Sequence, residues 1–99
     1  MDANVHVISD PRSGQVLQAA VGSRLAVTFA RRGLGTSRWR IAERPAYLVP
    51  IAEEGFSFNF VVFDGEEPAP LRLERYRPDR EGTTDERELY VVPCPRTAF

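Results

Sequence analysis

Lysine is absent from the 99-residue sequence, and all 13 basic side chains are arginine, set against 14 acidic ones. Without an amine side chain, lysine nucleophiles and Schiff-base chemistry are excluded. The bias itself fits the codon usage of a GC-rich genome and carries little about function. Cysteine and histidine occur once each, as Cys94 and His6. A single cysteine makes no internal disulfide and leaves no CxxC pair for redox or zinc chemistry. Long apolar runs are also missing, none approaching the roughly 18 residues of a transmembrane helix. Met1-Asp2-Ala3-Asn4-Val5-His6 shows neither a basic region followed by an apolar stretch nor a cleavage-like site, so no secretory signal is read. A cytoplasmic chain is expected as the sequence stands, and a secreted one where a signal has been removed. The net charge of −1 and pI near 5.8 argue against a general affinity for nucleic acid or membranes.

What is present is the composition of one small globular domain, 42% hydrophobic and 27% charged. Alternation decides the fold class. Leu25, Val27 and Phe29 share one face of residues 24–30, and Ser37-Arg38-Trp39-Arg40-Ile41 repeats the period of two. The clearest run is Phe56, Phe58, Phe60 and Val62, with Ser57 and Asn59 pointing the other way. Residues 71–76 and 88–92 continue the series, and residues 5–8 and 15–17 begin it. Glycine- and proline-bearing turns separate these runs at residues 10–14, 21–23, 32–35, 64–68 and 81–84. About seven short strands at this spacing predict an all-β chain, an immunoglobulin-like antiparallel β-sandwich, with a small barrel as the alternative. Residues 1–99 are expected to form one domain, with an N-terminal strand and turn in 1–13 and an irregular tail in 93–99.

Catalytic and metal chemistry find little support. A Cys94–His6 dyad is formally open, but His6 alternates with valines on an edge strand and Cys94 lies between two prolines. No GxSxG elbow presents a serine. The acidic pairs Glu53-Glu54, Glu66-Glu67 and Asp85-Glu86 flank turns, where solvated carboxylates are ordinary. Gly33-Leu34-Gly35 lacks the lysine and the following helix of a phosphate loop. No cofactor, metal or catalytic residue is therefore assigned. Arg31, Arg32, Arg38, Arg40 and Arg44 around Trp39 form the most uneven charge feature. Arginines beside an aromatic suit single-stranded nucleic acid, yet strict alternation turns Arg38 and Arg40 away from Trp39, which then reads as core. Nucleic-acid binding by this arginine-rich hairpin is kept as a lesser alternative and is not expected.

Tyr76-Arg77-Pro78, followed by a polar turn and a final strand, resembles the chagasin family, whose members are small immunoglobulin-like inhibitors of papain-type cysteine peptidases. That family carries three loops bearing NPTTG and an aromatic, GxGG, and RPW or RPF. The similarity runs from about Gly14 to Pro93. Trp39 matches the tryptophan after the first loop, Gly55 the last glycine of GxGG, and Arg77-Pro78 the start of RPW. Arg32-Gly33-Leu34-Gly35-Thr36-Ser37 stands where NPTTG and its aromatic would be, Ala52-Glu53-Glu54 replaces the first three residues of GxGG, and Asp79 replaces the aromatic of RPW.

The resemblance implies a monomer that blocks a papain-type cysteine peptidase without covalent chemistry, using three loops at one end of the sandwich. It assigns partner contact to Gly33, Leu34, Gly35, Thr36, Ser37, Glu54, Gly55, Arg77, Pro78 and Asp79. The glycines at 33 and 35 would allow close backbone approach to the partner's catalytic cysteine, with Leu34 as the apolar anchor. Arg77 would either reach the cleft rim or brace its own loop through Asp79 or Glu81. A protein- or peptide-binding domain of the same fold that inhibits nothing is the alternative.

Overall fold

The structure, a computed structural model, describes residues 5–30, 37–65, 69–79 and 81–95. Eight strands follow one another: β1 (Val5–Ser9), β2 (Gln15–Ala20), β3 (Arg24–Thr28), β4 (Arg38–Glu43), β5 (Leu48–Glu53), β6 (Ser57–Val62), β7 (Pro70–Tyr76) and β8 (Thr83–Cys94). They make two four-stranded sheets, in the orders β1-β3-β6-β5 and β2-β8-β7-β4. Among the described residues no helix is long and apolar enough to cross a membrane.

Alternation builds the core as expected. Leu25 and Val27 of β3, Phe58, Phe60 and Val62 of β6, Leu71 and Leu73 of β7, and Leu89 and Val91 of β8 all point between the sheets and are buried. Each such side chain contributes about 1.5–3 kcal/mol on leaving water. Trp39 is only 6% exposed, whereas its neighbours Arg38 and Arg40 face solvent. The outer face of the second sheet carries charge instead. Arg40 pairs with Glu74 at 3.3 Å, and Arg72 lies 3.5 Å from Glu43, 3.8 Å from Glu74 and 3.9 Å from Glu86.

Three features differ from the sequence expectation. The described residues form eight strands where about seven were expected, because β5 (Leu48–Glu53) pairs with β6 through a bulge between Pro50 and Ala52. The proline and bulge erase the alternation that would have marked the strand, and its position at the sheet edge tolerates the missing N–H. Next, the sandwich is not antiparallel throughout, because one edge of each sheet is parallel. β1 pairs parallel with β3 and β2 pairs parallel with β8, since the chain crosses between sheets at residues 10–14, where Asp10 and Gly14 hold φ of 48° and 88°. Last, Pro93 and Cys94 belong to β8, opposite Ala19 and Ala20, so the irregular tail does not start at residue 93. The Cys94 carbonyl accepts from the Val21 N–H at 2.9 Å and so faces β2. Alternation then turns the nitrogen of Pro93 to the other side, beyond the point where β7 begins opposite Tyr90.

Turns at the far end are pinned by side chains. The Ser23 hydroxyl, fully buried, donates to the Ala20 carbonyl at 2.6 Å. The Tyr47 hydroxyl donates to the Val91 carbonyl at 2.7 Å and accepts from the Ala69 N–H at 3.2 Å.

Candidate functional site

Strand direction collects three connections at one end. Thr28 closes β3 opposite Ser57, which opens β6, while Glu53 closes β5 opposite Phe58. On the second sheet, Arg38 opens β4 opposite Tyr76, which closes β7 opposite Thr83 at the start of β8. The β3–β4 connection (29–37), the β5–β6 connection (54–56) and the β7–β8 connection (77–82) therefore emerge together. These are the segments that the family resemblance marks for partner contact. Gly33, Leu34, Gly35 and Thr36 lie outside the described residues, whereas Ser37, Glu54, Gly55, Arg77, Pro78 and Asp79 lie within them.

The first two connections are joined across the sandwich. The Phe29 N–H donates to the Phe56 carbonyl at 2.8 Å, and the Trp39 N–H donates to the Gly55 carbonyl at 2.7 Å. Gly55 reverses the chain with φ 57°, in the left-handed region where a side chain is costly. The Arg38 stem packs beside it, 3.6 Å from where a Cβ would stand. With Ala52 and Glu53 inside β5, the connection is reduced to Glu54, Gly55 and Phe56. Glu54 is exposed, and its N–H donates to the Ser57 carbonyl at 2.8 Å. Asp10, in the crossing between the sheets, adds a tie by accepting the Ala30 N–H at 3.1 Å.

Arg77 braces its own loop. Its Nε and Nη2 donate to Asp79 Oδ1 and Oδ2 at 3.3 and 3.2 Å, a two-pronged pair at the surface. Such an exposed pair adds at most about 1 kcal/mol of stability, but it fixes which way both side chains point. The residue standing where the family has an aromatic is thus engaged with the arginine before it. Pro78 is exposed between them.

Beneath these loops the inner face of the second sheet turns from apolar to charged. Trp39, Arg75 and Asp85 stand opposite one another in register, and Leu73 with Arg87 makes the row below. Residues opposite in an antiparallel pair share a face. The Trp39 ring stacks on Phe29 with centroids 3.9 Å apart and planes 9° apart. The guanidinium carbons of Arg87 and Arg75 lie 5.5 and 6.0 Å from the same ring, within cation–π range. Arg87 is paired with the Asp85 carboxylate, and Arg75 Nε donates to Thr84 Oγ1 at 3.1 Å. Partial burial works to raise the Asp85 pKa, but hydrogen bonds from Arg87 and the Glu86 N–H, with the charges of Arg87 and Arg75, hold it below the ordinary 3.8.

The sequence alone does not mark this cluster. Its only signals were Trp39 itself and two arginines at alternate positions facing the core, which look like any charged strand.

The other candidates are not assembled into a site. His6 lies in the first sheet and Cys94 in the second. No group of three or more metal-ligating side chains occurs among the described residues. In the arginine stripe, Arg31 and Arg32 lie outside the described residues, while Arg40 is paired with Glu74, Arg44 donates to the Leu48 carbonyl at 3.1 Å, and the buried Trp39 offers no stacking surface.

No family model matches the chain, and no curated protein does. Its fold does match a solved structure. The cysteine protease inhibitor EhICP2 of Entamoeba histolytica superposes with a TM-score of 0.71, covering 91% of this chain and 95% of that one at 12% identity. The immunoglobulin-like sandwich implied by the family resemblance is the fold observed.

Proposed function

Starting from a sandwich shared with a cysteine protease inhibitor, we propose that this chain is a non-covalent inhibitor of papain-type cysteine peptidases, acting as a monomer through the three-loop end. The observation that carries the reading is the convergence of the three connections on one end, with the first two joined by the bonds from Phe29 to Phe56 and from Trp39 to Gly55. A cleft is blocked by a projecting edge that keeps its shape on entry, because a mobile one loses affinity to the cost of ordering it. Glu54, Gly55, Arg77, Pro78 and Asp79 would flank the cleft, and Ser37 would follow the central segment of residues 33–36. No bond chemistry is required of the inhibitor.

The test is a titration of papain with the purified chain, following hydrolysis of a small fluorogenic substrate and checking the chain for cuts. Inhibition with the chain left intact is the expected result, and full activity at saturating chain overturns the reading. The Arg77–Asp79 pair favours the second reading, a protein- or peptide-binding domain without inhibitory activity, since it puts a charged pair where the family presents an aromatic. Failure against papain together with capture of a different protein through the same loops would establish that reading instead.

A further inference from the structure

We infer that Trp39 is a positioning residue that holds the described bases of the three connections, at Phe29, Gly55, Arg75 and Arg87, in fixed relation to one another. The inference rests on the reading of that end as the contact surface. Trp39 is buried and presents almost nothing to a partner. Its attachments nevertheless reach every connection. Phe29, at the start of the first, stacks on its ring, and Trp39 itself stands in β4 two residues past the end of that connection. Gly55 of the second accepts its N–H at 2.7 Å. Arg75 and Arg87, on the two strands that flank the third, lie over its ring at 6.0 and 5.5 Å.

The two arginines are themselves fixed. Arg75 is tied to Thr84 and Arg87 to Asp85, so the base of the third connection is locked to the same indole. Arg77, which orients the tip through Asp79, follows Arg75 by two residues. The bases of the first and third connections therefore meet at the indole, and the second is tied to the same residue through its backbone N–H. Freed loops must be ordered on binding, which weakens association without removing a single contact.

Because Trp39 is the sole tryptophan, 5-fluorotryptophan enters the full chain at one place and gives one fluorine resonance. Substituting Gly55→Ala in the second connection and Asp79→Ala in the third is expected to move that resonance. Val16→Thr, on an exposed edge strand far from the site, is expected to leave it in place. A resonance unmoved by both contact-end substitutions overturns the inference, and this arm needs no peptidase.

The second arm compares Arg87→Met and Arg87→Lys with the parent against papain. Arg87→Met removes the cation but keeps the stem, and is expected to raise the inhibition constant about tenfold while the circular dichroism stays unchanged. Arg87→Lys restores a cation over the ring and recovers most of the loss. An unchanged inhibition constant in a folded Arg87→Met chain overturns the inference, and Arg75→Met replaces it if that chain does not fold. A parent chain that leaves papain fully active sinks the inhibitor reading alone, and the fluorine arm then decides the role of Trp39.

Discussion

Gly65 lies so close to Tyr47 that a Cβ on it would stand 2.3 Å from Cδ2 of the ring. The ring has nowhere to go, because its hydroxyl is bonded to both Val91 and Ala69 and its side chain is buried. Gly65→Ala is expected to cost about 3 kcal/mol, the upper end for overpacking a filled site. Urea denaturation measures it, and a loss below about 0.5 kcal/mol, the size of an ordinary surface substitution, contradicts the contact.

Tyr47→Phe keeps the ring and removes the bonds. The buried Val91 carbonyl loses its side-chain donor, at a cost of about 1–3 kcal/mol. Thermal unfolding should register this as a lower midpoint with papain inhibition at 25 °C intact, since Tyr47 sits at the end away from the three loops. Loss of inhibition in a folded Tyr47→Phe chain would show that the two ends are coupled.

Much of this architecture is legible in the sequence wherever burial imposes a period of two. Leu25, Val27, Phe58, Phe60 and Val62 declare their strands because one face of each is in the core. Leu48 does the same work in β5, but Pro50 and the bulge after it break the pattern. The parallel pairing of β1 and β2 leaves no local trace, because a strand's sequence records which face is buried and not which neighbour accepts its hydrogen bonds. At the candidate site, the brace from Arg77 to Asp79 is one of the two options that charge and spacing allow. Tyr47 and the Arg75–Arg87 pair escaped because their meaning depends on Gly65 and Trp39, partners distant in sequence.

Asp79→Trp should convert the third loop from a self-paired tip into an aromatic one. It abolishes an exposed ion pair, so stability should change by less than about 1 kcal/mol. If the proposed contact is right, inhibition of papain strengthens, because a large aromatic at the edge of a cleft is a typical energetic anchor. Weaker inhibition by the tryptophan variant would mean that the pair of Arg77 and Asp79 is itself the contact.

Acid should loosen the base of the same loop. The Asp85 carboxyl binds its proton less readily in the folded chain than in the unfolded one, because Arg87, Glu86 and Arg75 favour its anion. Its contribution is therefore present above the ordinary value of 3.8 and is lost as pH falls through the lower folded value. The stability gap between the parent and Asp85→Asn should be full at neutral pH and shrink as pH falls below the ordinary 3.8. Urea midpoints across that range test the sign, and a gap that widens in acid refutes it.

The parallel ladder between β2 and β8, in register from Gln15 opposite Leu89 to Ala20 opposite Cys94, has a mechanical consequence. Tension applied ahead of β2 and beyond β8, once β1 has been drawn away, pulls two parallel strands in opposite senses along their own axes. The rungs are then sheared together rather than unzipped singly. A domain tethered at both ends would thus yield to traction only when that whole ladder ruptures, at a rate set by its unfolding barrier rather than by its equilibrium stability.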